Sequence, residues 1–355
     1  MDFTFSKDEL LFRDAVSRFL MTEAAPEMLR EIWETDSGRS PEMRSKIAAQ
    51  GLTALSVPEA DGGLGMGDVA WALMTQELGY FAIPDSLADT AYLAAGLLCA
   101  LPADNALRST WLPRIADGSC RIALGHPINP LVADAHLADV LLLAHPTPQG
   151  LELHAVAREA VTVTQHRSID ASRRLGAVQW TPGPATLVAA GATGQALWDQ
   201  AQERGALCVA GQLIGLAQRM LNVSVDYAAQ RTQFGKPIGS FQAVKHHLAD
   251  VVTKIEFAKP VLYRAVYALE HGEAGLAALV SHAKLVCGEA ALLAARKGIQ
   301  VHGAMGYTWE VDLQMFMKRA WALDSAWGDR AYHQARLGSA LLESDARPVA
   351  FAQPV

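Results

Sequence analysis

The 355-residue sequence has little of what would mark several large protein classes. Its four cysteines, Cys99, Cys120, Cys208 and Cys287, lie far apart and form no CxxC pair. That spacing argues against a disulfide framework and against a Cys-ligated zinc site, and it fits a reducing, cytoplasmic setting. There is no basic block: Lys and Arg number 30 against 37 Asp and Glu, a net charge of −7. Nucleic acid and anionic membrane surfaces are therefore not expected partners. Apolar runs are short or interrupted by charge, which argues against a membrane span. The segment from Met1 to Phe12 carries acids among its apolar residues, unlike a signal peptide. No serine sits in a G-x-S-x-G elbow. His246-His247 and the other histidines form neither H-x-x-x-H nor H-E-x-x-H, so no metal is expected.

What is present falls into three textures, and the fold class they predict is mainly α with a small β-domain. Residues 1–118 read as an N-terminal helical domain. Ser6 and Glu9 form an S-x-x-E capping box ahead of the helically spaced Leu10, Leu11, Ala15, Phe19 and Leu20. Ser40-Pro41 opens a second helix, with proline where no N–H is needed. Val69–Leu78 and the nearly all-apolar Leu87–Leu98 give two more, the latter buried. The glycine run Asp61–Gly67 is flanked by helices, not by a strand and a βαβ unit, so it reads as a turn and not as a dinucleotide fingerprint.

Residues 119–190 read as a short middle β-domain, a barrel or sandwich. Its strands are predicted at Arg121–Leu124, Val140–Ala144, Leu151–Val156, Ala160–Val163 and Ala177–Trp180. Residues 191–355 return to helix. Long segments over 194–229, 241–271, 274–302 and 310–342, with breaks at Phe234–Gly239, His271–Gly272 and Gly303–Gly306, predict a C-terminal four-helix bundle.

Two segments carry chemistry. Arg231-Thr232-Gln233-Phe234-Gly235-Lys236-Pro237-Ile238-Gly239-Ser240-Phe241-Gln242 joins two helices by a tight turn and puts an arginine at a helix end, where it can grip a phosphate. Gln300-Val301-His302-Gly303-Ala304-Met305-Gly306-Tyr307 ends a helix on glycines that admit a ligand to the backbone. Together they resemble the R-x-Q-F-G-x-x-I-x-x-F-Q and Q-x-H-G-x-x-G-Y motifs of the acyl-CoA dehydrogenases. Gly51-Leu52, Val57-Pro58-Glu59, Gly62–Gly65, Trp111-Leu112-Pro113 and Gly118 extend the resemblance over nearly the whole chain. It implies an FAD protein that acts on acyl-CoA thioesters and passes electrons to an electron-transfer flavoprotein. In that chemistry a buried carboxylate removes the α-proton while the β-hydrogen leaves as hydride to the flavin.

The sequence departs from the family where that chemistry is done. The usual glutamate position carries over to Trp327, and the alternative position on the first bundle helix to Gly205. Glu203, Asp324 and Asp329 are the nearby carboxylates. The T-E-P-x-x-G-S-D and W-I-T segments, which hold the flavin ring and pyrophosphate, are replaced by Ala123–Pro130 and Leu141–Pro146. Arg231, Phe234, Gln242, Gln300 and Gly303 remain, and in the family this set reaches a neighbouring subunit's FAD. The resemblance thus implies the supporting, base-less subunit of a heterotetramer with a second acyl-CoA dehydrogenase subunit. Two alternatives stay open: a self-sufficient homomeric enzyme with a relocated carboxylate, and a catalytically silent acyl-CoA or partner-binding protein.

Overall fold

Ser6 opens the first helix. Its hydroxyl accepts from the Glu9 N–H while the Glu9 carboxylate accepts from the Ser6 N–H, which closes the predicted capping box. The structure is a computed structural model and describes residues 4–342. Its N-terminal part is helical throughout: α1 (Lys7–Glu23), α2 (Pro26–Glu34), α3 (Pro41–Ala49), α4 (Asp68–Tyr80), a π turn over Asp89–Ala94 that runs into α5 (Ala95–Cys99), and α6 (Ala106–Ala116). The glycine run is a turn, as expected. Gly65 and Met66 donate to the carbonyls of Val57 and Leu55, and a side chain on Gly63 would strike the Val57 carbonyl. Leu87–Leu98 is buried, but its middle is a π turn instead of a regular α-helix.

The middle part holds two small sheets. The first has β1 (Ile122–Gly125) parallel to β3 (Val140–Thr147), then β4 (Gly150–Ala157) and β7 (Leu187–Ala189) antiparallel. The second joins β2 (Val132–Ala133), β6 (Leu175–Gln179) and β5 (Thr162–His166). β3 is buried on both faces. Val140 and Leu142 join the helical core, while Leu141 and Leu143 pack with Ala123, Val132 and Val156 in a separate small core. That two-sided burial is why its sequence is an unbroken apolar run. β2 and β7, only a few residues long, had no sequence signal. The predicted strand at Ala160 starts two residues later, after a 3-10 turn at Arg158–Ala160.

The C-terminal part begins with α7 (Gly191–Gln230), followed by a two-strand hairpin, β8 (Thr232–Gln233) and β9 (Lys236–Pro237), then α8 (Gln242–Glu270) and α9 (Leu276–His302). The predicted fourth helix over 310–342 is a pair, α10 (Leu313–Asp324) and α11 (Arg330–Leu342). The break has a local cause. Trp327 and Gly328 take positive φ, and Asp329 caps α11 by accepting the Tyr332 N–H at 2.8 Å. By length and composition α7 and α9 are apolar enough to cross a bilayer, contrary to the sequence expectation. In the fold they are the bundle's central pair, packed on each other and on α8, α10 and α11.

Candidate functional site

The two positions at which a base was expected, Trp327 and Gly205, meet each other. Trp327 is 5% exposed, and its indole lies on Gly205 of α7 so closely that a side chain there would collide with the ring. One aromatic group thus fills the space for a carboxylate on either element. Trp327 is fixed from several directions. Its N–H donates to Asn129 Oδ1 at 2.8 Å, and its carbonyl meets His333 Nε2 at 3.0 Å. Lys284 of α9 donates to the carbonyls of Asp324 and Gly328 at 2.7 and 3.2 Å, which ties both ends of the loop. Burial lowers the Lys284 pKa to about 8.

Two of the candidate substitute bases, Glu203 and Asp329, are engaged elsewhere. Glu203 is buried and takes both prongs of the Arg336 guanidinium. Asp329 caps α11. Asp324 gives its carbonyl to Lys284, and its carboxylate approaches α9 at Gly288. None is brought to Trp327 as a free carboxylate.

The middle-domain side of the same region is equally filled. His126 stands where the T-E-P acid is expected. It is 8% exposed, packs 5.8 Å from the Trp327 ring and 5.4 Å from that of Trp198, and is held by burial at a pKa of about 4. A neutral imidazole between two indoles is core packing. In the W-I-T place, His145 lies edge-on to His154 and Trp180. His126 and His145 thus stand in aromatic clusters where the acid and the tryptophan are expected, and Asn129 gives its Oδ1 to the Trp327 backbone.

The other set is arranged quite differently. Arg231, Phe234, Gln242, Gln300 and Gly303 are all exposed. Arg231 ends α7, its N–H on the Tyr227 carbonyl, and its guanidinium has no hydrogen bond or ion pair among the described residues. Phe234 is 92% exposed and holds φ of 54°, followed by Gly235 at 77°, in the two-residue turn between β8 and β9. Left-handed backbone is costly for phenylalanine, and the two-residue turn imposes it at both central positions. Gly303 carries φ of 64° at the end of α9. The Tyr227–His302 ring stack, centroids 4.1 Å apart, brings the end of α7 to the end of α9, so that Arg231 and Gly303 follow from neighbouring points, and an exposed guanidinium there can grip an anion.

Comparison with known proteins gives the family. The model for the acyl-CoA dehydrogenase N-terminal domain matches residues 6–119, and that for the C-terminal domain matches residues 193–342. Acyl-CoA dehydrogenase IpdE2 of Mycolicibacterium smegmatis is 32% identical over 319 residues, covering 89% of this chain and 93% of the relative. The chain belongs to the acyl-CoA dehydrogenase family. IpdE2 of Mycobacterium tuberculosis is 31% identical over 88% of this chain and 91% of its own length. Among solved folds, the ChsE4–ChsE5 complex from Mycobacterium tuberculosis superposes with a TM-score of 0.85 at 22% identity, covering 98% of this chain and 100% of that one. The cofactor of this acyl-CoA dehydrogenase fold is FAD, and the FAD complex of PigA shares the fold at a TM-score of 0.80 and 19% identity, covering 95% of this chain and 98% of that one.

Several residues that shape this acyl-CoA dehydrogenase site were missed in the sequence. Lys284 had a signal: it interrupts the buried stripe Val280, Ala283, Cys287 of α9. Asn129 and His333 had none, because each works through contacts to a loop remote in sequence.

Proposed function

We propose that the chain is the supporting subunit of a heteromeric acyl-CoA dehydrogenase, completing the FAD site of a second, base-bearing subunit. The single observation that carries the reading is the contrast between its two half-sites. The inward one holds Trp327 against Gly205 with His126 near it and Trp198 beyond, and the outward one leaves Phe234 exposed and the Arg231 guanidinium without a hydrogen bond or ion pair among the described residues. FAD supplies hydride acceptance in this family. This chain's part is to hold the far end of the cofactor: Arg231 toward the pyrophosphate, Phe234 and Gln242 against the adenosine, and Gln300 and Gly303 at the neighbouring backbone. Electrons then pass to an electron-transfer flavoprotein. The ChsE4–ChsE5 structure is a complex and the Tcur3481–Tcur3483 structure is of a steroid enzyme, which supports an unlike pair and a bulky, ring-bearing acyl-CoA as substrate class.

Arg231→Ala tests the reading. A charge-assisted contact contributes about 1.5–3 kcal/mol, so FAD affinity of the complex should fall roughly ten- to a hundredfold. Arg231→Lys should recover only part, because an ammonium lacks the planar two-pronged donor set. The melting temperature of the lone chain should not change, since the guanidinium has no hydrogen-bond or ion-pair partner among the described residues. An unchanged FAD dissociation constant contradicts the proposal.

A further inference from the structure

Arg231 and Gly303 stand at the ends of two different helices, α7 and α9. Neither is anchored by a side chain. Glycine has none, and the Arg231 guanidinium has no hydrogen bond or ion pair among the described residues. Backbone contacts hold both. The Arg231 N–H donates to the Tyr227 carbonyl at 2.8 Å, and the Arg231 carbonyl accepts the Ile238 N–H at 2.8 Å. The Gly303 N–H donates to the Ile299 carbonyl. The distance between the two residues is therefore set by how the helix ends meet. One turn back, α7 and α9 are in close contact: a side chain on Gly298 would come within 3.2 Å of Ser224 Oγ. The next rung is a ring pair. Tyr227 stacks on His302 with centroids 4.1 Å apart and planes 25° from parallel.

His302 is held on every side. It is 4% exposed, and its Nδ1 donates to the Gly298 carbonyl at 2.8 Å. Gly306 lies so close that a side chain there would press on the His302 Cβ. Burial lowers the His302 pKa, so the ring is neutral at neutral pH. Its Nε2 is buried with no hydrogen-bond partner among the described residues. What the ring offers its surroundings is therefore its face, and Tyr227 covers it. Directly after His302 the chain turns, with Gly303 at φ 64° and ψ −144°, a conformation that side chains disfavour. Where His302 sits thus decides where the Gly303 backbone points.

We infer that His302 is a positioning residue of the outward half-site: through its stack on Tyr227 it sets the spacing between Arg231 and Gly303, and with it the fit of a cofactor laid across the two helix ends. This rests on the reading of those ends as a cofactor half-site. His302 acts through Tyr227 on one side and the Gly303 backbone on the other. A ring of the same shape without nitrogens should do the same work, and a methyl group should not.

FAD titrated into the apo-complex with a base-bearing partner subunit tests it, using wild type, His302→Ala, His302→Phe and Tyr227→Leu. Each lone chain is also melted, and its amide exchange is followed at Arg231 and Gly303. His302→Ala and Tyr227→Leu should bind FAD about three- to tenfold more weakly, the worth of one aromatic pair, while His302→Phe stays within about twofold of wild type. In the lone chain, exchange at the Arg231 and Gly303 N–H groups should quicken together in His302→Ala and stay slow in His302→Phe. A lowered melting temperature with an unchanged FAD dissociation constant in His302→Ala makes the residue merely structural and overturns the inference. So does His302→Phe binding as weakly as His302→Ala. Should His302→Ala fail to fold, Tyr227→Leu, at a half-buried position, decides, and unaltered FAD affinity there overturns it. Arg231→Ala separates this claim from the one beneath it. If Arg231→Ala weakens FAD binding and Tyr227→Leu does not, only the role of His302 falls. If Arg231→Ala also leaves FAD binding unchanged, the half-site reading falls and this inference with it.

Discussion

Trp327 is the residue on which this chain's chemistry turns, because its indole occupies a volume that cannot also hold a carboxylate from Gly205. Trp327→Glu alone should not yield a dehydrogenase. The new carboxylate would face a region filled by His126 and Trp198, with no flavin ring in line, and orientation of that kind is worth up to ~7–11 kcal/mol. Turnover of an artificial acceptor by the lone variant at ordinary enzyme rates contradicts this. Asp89 makes a second residue-scale prediction. Its folded pKa of about 7 stands above the unfolded value near 3.8, so the protonated form is favoured by folding. Its contribution is fully present below about pH 4 and is lost as the pH rises through about 7. Asp89→Asn should therefore be more stable than wild type at pH 8 and lose that advantage by pH 4. Urea unfolding at both pH values reads the difference, and a variant less stable than wild type at pH 8 would show that Asp89 has a partner when ionised.

At the scale of elements, the bend between α10 and α11 explains both a missed helix break and a closed site. The periodicity of 310–342 runs through Ser325–Asp329, and Gly328-Asp329, a stop followed by a cap, was the only local sign. What holds the bend is remote: Lys284 from α9, His333 from α11 and Asn129 from the middle domain. Lys284→Met should strand two carbonyls in a buried loop, at about 1–3 kcal/mol each without compensation, and lower the melting temperature markedly. A melt within a degree of wild type would mean that the loop is held without it. The long helices were legible because amphipathic periodicity over 25 residues or more leaves little choice. β2 and β7 were not, because strands of two or three residues are set by neighbours. The π turn hid inside an apolar run for the same reason, and Asp89 within that run was the visible clue.

At the scale of the molecule, the family was readable because its motifs are local segments, Arg231–Gln242 and Gln300–Tyr307, at helix ends and turns. The filling of the inward half-site was readable only as absences. How Trp327, Gly205 and His126 come together across α7, the α10–α11 bend and the turn after β1 is a fact of packing. Both halves of the argument make one quantitative statement about cofactor content. The chain should be purified alone, and again co-expressed with a candidate partner subunit that carries the glutamate and W-I-T segment, and bound FAD measured by absorbance after denaturation. The account predicts little FAD in the lone chain and about one per unlike pair in the complex, whereas near-stoichiometric FAD in the lone chain would contradict it.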